Sequence, residues 1–427
     1  MSFRIVAAAL LSIVAGGCLH FRSEPIDPSR RAAVLTSRGL GSKTWTVEGL
    51  TRQAIATSPQ VSVARAEYHA ARATIGTAGE RPNPTVALTP QIVTPFKWIE
   101  GTYGVDFDWT IETAGKRGRR LEVAGEQARA AAARVIDTTW KVRASTRKAL
   151  LDLYAAERKA VLINDAAKMQ GEVVRLIVER VKAGAASILE TAQPRLLAAQ
   201  LNLQGSDAAK ATATARAALA EALTMGVSGL SGANFTFGTF ERVPGKVPLN
   251  RRAALTHRAD ILAALADYAA AEATLRLEIA KQYPDIHLNP GYQLDAGENK
   301  WTLGVGLTLP ILNQNQGAIH EAEAKRKVAS AKFDAVQAKA LADVERALAG
   351  VSSARAKLAT TNGLLAEQDR QIQSLERIVA AGEGDKLAIF SAEVERATTR
   401  LGRLDAMVEL HAALGALEEA TQTPLEP

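Results

Sequence analysis

Cys18 carries the only thiol in the chain. It follows Arg4, an apolar run from Ile5 to Ala15, and the small pair Gly16-Gly17. The run is too short to span a bilayer permanently and reads as a secretory signal. A cysteine directly after small residues at such a cleavage point is the pattern of thiol acylation. Residues 1–17 are thus expected to be removed as a lipoprotein signal, with Cys18 anchored by its acyl chains. The plainer alternative is an ordinary signal with an incidental cysteine. With Leu19 rather than an aspartate next, a lipidated chain is expected at the outer membrane of a Gram-negative cell. One cysteine leaves no intrachain disulfide and no Cys-based zinc site.

Other chemistry is sparse. The six histidines (His20, His69, His257, His287, His320, His411) offer no pair at metal-ligand spacing, and Glu321 beside His320 points off its helix face. The methionines Met1, Met169, Met225 and Met407 are scattered, so they form no thioether relay for copper. Gly115-Lys116-Arg117 lacks the upstream glycine and the Ser/Thr of a phosphate-binding loop. No Gly-x-Ser-x-Gly element occurs. Neither an enzyme nor a bound cofactor is expected, and no structural metal site.

Three polar groups, Asp106, Asp108 and His287, stand instead in segments that alternate residue by residue, as strands do. Val105, Phe107, Trp109 and Ile111 oppose Gly104, Asp106, Asp108 and Thr110. Val86, Leu88 and Ile92 oppose Thr85, Ala87 and Gln91. Ile286, Leu288, Tyr292 and Leu294 oppose His287, Asn289, Gly291 and Gln293, and Trp301 to Leu309 alternate with Thr302, Gly304, Gly306 and Thr308. Four strands are expected, at about 84–93, 103–112, 285–295 and 301–310. One face is apolar and aromatic, the other polar and small. That dyad suits a membrane barrel with lipid outside and water within. A four-stranded soluble sheet packed on a helix would alternate in the same way. Aromatics near the strand ends (Phe96, Trp98, Tyr103, Trp109, Tyr292, Trp301) favour the membrane reading, as an interfacial girdle.

The strands sit within a duplication. At an offset of 200, Arg52, Ala54, Ala64, Tyr68, Pro84, Gly104 and Ile111 meet Arg252, Ala254, Ala264, Tyr268, Pro284, Gly304 and Ile311. At 198, Ala183-Gly184 and Leu189 meet Ala381-Gly382 and Leu387, with an arginine shortly before each glycine (Arg180, Arg377). The expected organisation is a tether at 18–50, a first repeat at 51–226, a linker or small subdomain at 227–250, and a second repeat at 251–427. Each repeat opens with a helix, the first running from Thr51 to about Glu80. Each continues, after its strand pair, into a proline-free helical tract starting near Arg117 or Gln316. The first tract, to about Lys182, would extend about 95–100 Å. Its apolar stripe (Leu150, Leu153, Tyr154, Val161, Val173, Val174, Ile177, Val181) suits coiled-coil packing. Breaks at Gly184 and Gly382–Gly384 make each repeat a helical hairpin.

The 427 residues are 47% hydrophobic and 23% charged, enough for a large core and too apolar for a disordered chain. Lys and Arg (52) exceed Asp and Glu (45) but are interspersed with them, so no nucleic-acid partner is expected.

Arg81-Pro82-Asn83-Pro84, Glu112-Thr113-Ala114-Gly115-Lys116-Arg117, Pro284-Asp285-Ile286 and Leu309-Pro310-Ile311-Leu312-Asn313-Gln314-Asn315-Gln316-Gly317 resemble the repeat motifs of TolC-type outer-membrane efflux proteins. The Gly-Lys-Arg element with Arg120, and the Asn-Gln-Asn-Gln-Gly element, most resemble the cobalt–zinc–cadmium resistance branch. The resemblance implies a mainly α fold with a membrane β-barrel portion. Long coiled-coil hairpins and four strands per protomer would join in a homotrimer as a twelve-stranded barrel continued by an α-helical periplasmic tunnel. It implies passive efflux, of divalent metals on this branch, through a tripartite assembly with a periplasmic adaptor (membrane fusion protein) and an inner-membrane pump of the resistance-nodulation-division type. Residues 94–102 and 296–300 would be extracellular loops, and Asp106, Asp108 and His287 would face barrel water. The hairpin tips would meet the adaptor through Arg180, Gly184, Ser187, Leu189, Glu190, Arg377, Gly382, Asp385 and Leu387, or these would serve only as helix-turn chemistry. Ala388 and Ser391 fall where relatives often carry acidic residues. An exit duct for organic drugs or secreted protein, and a lipid-anchored coiled-coil scaffold, stay open as rivals.

Overall fold

The computed structural model describes residues 21–91, 101–245 and 251–425. Cys18, Phe96 and Trp98 lie outside them, as does most of the 94–102 loop.

Among the described residues the elements follow in this order: α1 (Pro28–Ser37), β1 (Thr44–Trp45), α2 (Val47–Thr57), α3 (Pro59–Ala78), β2 (Thr85–Gln91), β3 (Thr102–Ile111), α4 (Lys116–Lys182), α5 (Ala192–Ala222), β4 (Asn234–Phe235), α6 (Gly238–Glu241), α7 (Arg251–Ala254), α8 (Ala259–Ala280), β5 (Ile286–Asp295), β6 (Glu298–Leu307), α9 (Gln316–Ala380) and α10 (Lys386–Thr421). The chain is mainly helical, with one four-stranded sheet at the end of the helix bundle.

The long helices are coiled-coil in their packing. Buried positions on α9 run Ala340, Val344, Ala347, Val351, Ala354 and Leu358, alternating steps of four and three. Those on α8 run Ala259, Ala263, Ala266, Ala270 and Ala273 in the same rhythm. A 3.5-residue repeat keeps one seam against its neighbour, and alanine lets the backbones come close. With 67 and 65 residues, α4 and α9 each reach about 100 Å. The widest core lies halfway along α4, where Leu50, Leu150, Leu153, Leu219, Leu223 and Phe240 from four helices and their ends are essentially unexposed. There β1 pairs in parallel with β4, tying the segment before the first repeat to the segment between the repeats.

Two expectations are corrected at the element level. The helix expected from Thr51 to Glu80 is two helices, because Ser58 caps a new start: its Oγ accepts the Val61 N–H at 3.3 Å and Pro59 stands first in α3. The proline has no N–H to lose at that position. The loop expected at 296–300 is only the turn Ala296-Gly297, both at positive φ (48° and 89°), with β6 resuming at Glu298. Val161, placed on the apolar stripe, is 53% exposed, whereas Leu150, Leu153, Tyr154, Val173 and Ile177 are buried.

Both long helices start after a residue in the left-handed region, Gly115 (φ 68°) and Asn315 (φ 64°), 200 positions apart. Glycine and asparagine adopt that conformation at least cost.

Candidate functional site: sheet face, joint and hairpin tips

The sheet is antiparallel in the order β2-β3-β5-β6, so among the described residues β2 and β6 are its free edges. The register sets Trp109 opposite Leu288 and Thr110 opposite His287, and residues facing each other in this way project to the same side. One side carries Leu88, Phe107, Trp109, Leu303 and Val305, exposed at 45–74%. Such an expanse of exposed apolar side chains marks a surface that something apolar covers.

The opposite side brings together Asp106, Asp108 and His287. His287 Nδ1 lies 3.0 Å from Asp108 Oδ1 and 3.3 Å from Thr110 Oγ1. The Thr89 hydroxyl donates to Asp106 Oδ2 at 3.2 Å. Gly291 leaves room here: a Cβ would force the Asp106 carboxylate and the Thr302 hydroxyl to shift. No group of three or more metal-ligating side chains gathers among the described residues.

Where sheet meets helices, the motif residues form a joint. Arg117 Nε donates to the Gly79 carbonyl at 2.6 Å, and Arg120 donates to the Ala78 and Glu80 carbonyls at 3.1 and 2.9 Å. Two guanidiniums thereby satisfy carbonyls left over at the end of α3. Arg120 also grips Glu112 through both terminal nitrogens. Lys116, nearly buried, pairs with Asp285 at 2.8 Å, and Asp285 also accepts the Thr113 N–H at 2.9 Å. In the second repeat a neutral residue serves: Asn315 Nδ2 donates to the Glu278 carbonyl at 2.8 Å.

At the opposite end, Gly184 (φ 71°) and Gly382 (φ 82°) terminate α4 and α9. Both are Schellman ends: Ala185 N–H reaches the Arg180 carbonyl at 2.9 Å, and Glu383 N–H reaches that of Ile378 at 3.2 Å. Ser187 and Glu190 form a reciprocal capping box. Asp385 accepts the Leu387 N–H at 2.9 Å and pairs with Arg180, linking the two hairpins at their tips. Arg377 is not the equal of Arg180. It stands five residues before its glycine rather than four, and donates within its own helix, to the Gln373 carbonyl at 3.2 Å. Leu189 is 80% exposed beside an equally bare Ile188, while Leu387 is half-buried. His320 lies 3.4 Å from Glu323, one helical turn on, rather than near Glu321.

Nothing in the sequence marks the polar cluster that borders the widest core. His411 is completely buried; its Nε2–H donates to the Arg242 carbonyl at 3.0 Å, and its Nδ1 has no partner among the described residues. Phe240 packs edge to face with its ring, and the Arg147 guanidinium lies over the Phe240 ring. Burial, reinforced by the Arg147 charge, pushes the imidazole down to about 4. Glu418, two turns further along α10, is also buried and is bound by Arg143 at 2.6 Å.

The model of the outer membrane efflux protein family matches residues 50–224 and again 250–421. The chain belongs to that family. The two matches fall on the two repeats. The cobalt-zinc-cadmium resistance protein CzcC of Cupriavidus metallidurans is 25% identical over 215 residues, half of this chain and 51% of the relative. The chain thus spans about half the length of that curated relative. Among solved structures, CusC, described in terms of transmembrane channel formation, superposes with a TM-score of 0.73 at 18% identity over 88% of this chain and 92% of its own. The open-state MtrE outer membrane channel of Neisseria gonorrhoeae does so with 0.71 at 17% identity over 96% of both chains. The chain therefore has the fold of outer-membrane channels, as CusC and MtrE are described.

Proposed function

We propose that this chain is the outer-membrane duct of a tripartite heavy-metal efflux system. The observation that carries the reading is the sheet: four strands, both edges unpaired among the described residues, one face apolar and exposed, the other polar and paved with glycine. Four strands cannot close on themselves. Three copies related by rotation would close a twelve-stranded barrel, with lipid against Trp109 and Leu303 and water against Asp106, Asp108 and His287. The bundle below it would form a tunnel through the periplasm. Its tips, with Leu189 and the Arg180–Asp385 pair exposed, would rest on an adaptor fed by an inner-membrane pump. Acylated Cys18 would add a second hold on the membrane. Conduction is passive: carboxylates in a wet lumen favour cations over anions without binding them tightly. Divalent metal as cargo is supported by the likeness to CzcC.

The test is growth of a deletion strain, with and without the gene in trans, across zinc, cadmium, cobalt, nickel, copper, dyes and antibiotics. Sensitivity confined to divalent metals and restored by the gene is the expected result. Sensitivity to organic compounds alone would keep the duct and discard the metal cargo.

A further inference from the structure

At the end of the sheet nearest the helices, Arg81, Pro82, Trp109, Ile111 and Arg117 line a cavity of about 330 Å³. Trp109 and Ile111 are 59% and 42% exposed and belong to the apolar face. Arg81 and Arg117 are both exposed. Arg81 makes no hydrogen bond or ion pair among the described residues, and Arg117 makes one bond, through Nε to a backbone carbonyl. Glu112, which also borders the cavity, is already neutralised by Arg120. Two guanidiniums with donors to spare thus stand against an apolar wall, at the first turn of α4, where the unpaired N–H groups of the helix add further positive potential.

We propose that this cavity holds the phosphate headgroup of an anionic phospholipid in the periplasmic leaflet. The inference rests on the barrel reading above, which puts Trp109 in lipid. Charge complementarity selects the headgroup: a guanidinium pair matches a phosphodiester, and the tryptophan and isoleucine continue into the apolar face along which acyl chains would lie. A free phosphate would find the same guanidiniums but would gain nothing from Trp109 and Ile111. The site would fix the depth at which the sheet rides in the membrane, next to the joint that couples sheet to tunnel.

The experiment uses the full-length purified protein, stripped of lipid in detergent. Binding of short-chain phosphatidylglycerol, phosphatidylcholine and inorganic phosphate is followed by native mass spectrometry, alongside insertion into vesicles. Wild type should prefer phosphatidylglycerol, and Arg81→Gln should weaken that binding about five-fold, the effect of one surface cation. Trp109→Ala should weaken it too, while leaving any phosphate binding as it was. Phosphate bound as well as phosphatidylglycerol would overturn the lipid assignment. So would unchanged binding by Arg81→Gln in a protein that still inserts. Failure of the wild type to enter vesicles would instead overturn the barrel reading, and this proposal with it.

Discussion

A buried imidazole with one nitrogen unpaired, next to a guanidinium, costs far less while it is neutral than once it is charged. The unfolded chain protonates His411 near 6.5 and the folded chain only near 4. Between those values the unfolded state holds more protons, so stability is complete above 6.5 and falls as the pH drops toward 4. The whole difference is at most about 3 kcal/mol. The thermal midpoint of the wild type should therefore fall more steeply between pH 7 and 4 than that of His411→Gln, whose amide can still donate to the Arg242 carbonyl. Parallel curves for the two proteins would contradict this. None of it was legible in the sequence. His411 sits one residue after Leu410 in an apolar stripe, and its partners lie on segments 169 or more positions away.

At the scale of elements, the strand pleat and the long helices were legible because their periods, two and three and a half, are written in consecutive residues. The break at Ser58-Pro59 had a local signal, a capping residue before a proline, but the alanine pattern runs across it unchanged. What the Gly-Lys-Arg motif does was not legible. Its bonds reach 38 to 42 residues back, to the end of α3, and 169 forward, to Asp285. Those bonds make the motif a joint between sheet and helices, and its weight can be measured. Asp285→Ala would leave Lys116 nearly buried with no counter-charge, and should cost about 2 kcal/mol. Adding Lys116→Met should recover part of that loss in thermal unfolding. A double variant as weak as the sum of both single ones would show that the pair does not hold the joint.

For the whole molecule, the open question is what covers the apolar side of the sheet, and one substitution distinguishes the answers. Leu303 lies in the middle of edge strand β6 and is 74% exposed. If the sheet were the cap of a soluble scaffold, Leu303→Lys would trade one solvated side chain for another and change stability by no more than about 0.5 kcal/mol. If lipid covers it, a lysine near the bilayer midplane costs about 2–4 kcal/mol. The neighbour Thr302 is also exposed but faces the other way, so Thr302→Lys supplies the control on the same strand. The expected outcome is that Thr302→Lys still yields heat-modifiable trimers in the outer-membrane fraction, while Leu303→Lys yields far fewer. The asymmetry follows from the geometry alone, since the two lysines would differ only in the face from which they project. Equal recovery of both variants would mean that the exposed apolar face never meets lipid, and the scaffold would then replace the channel.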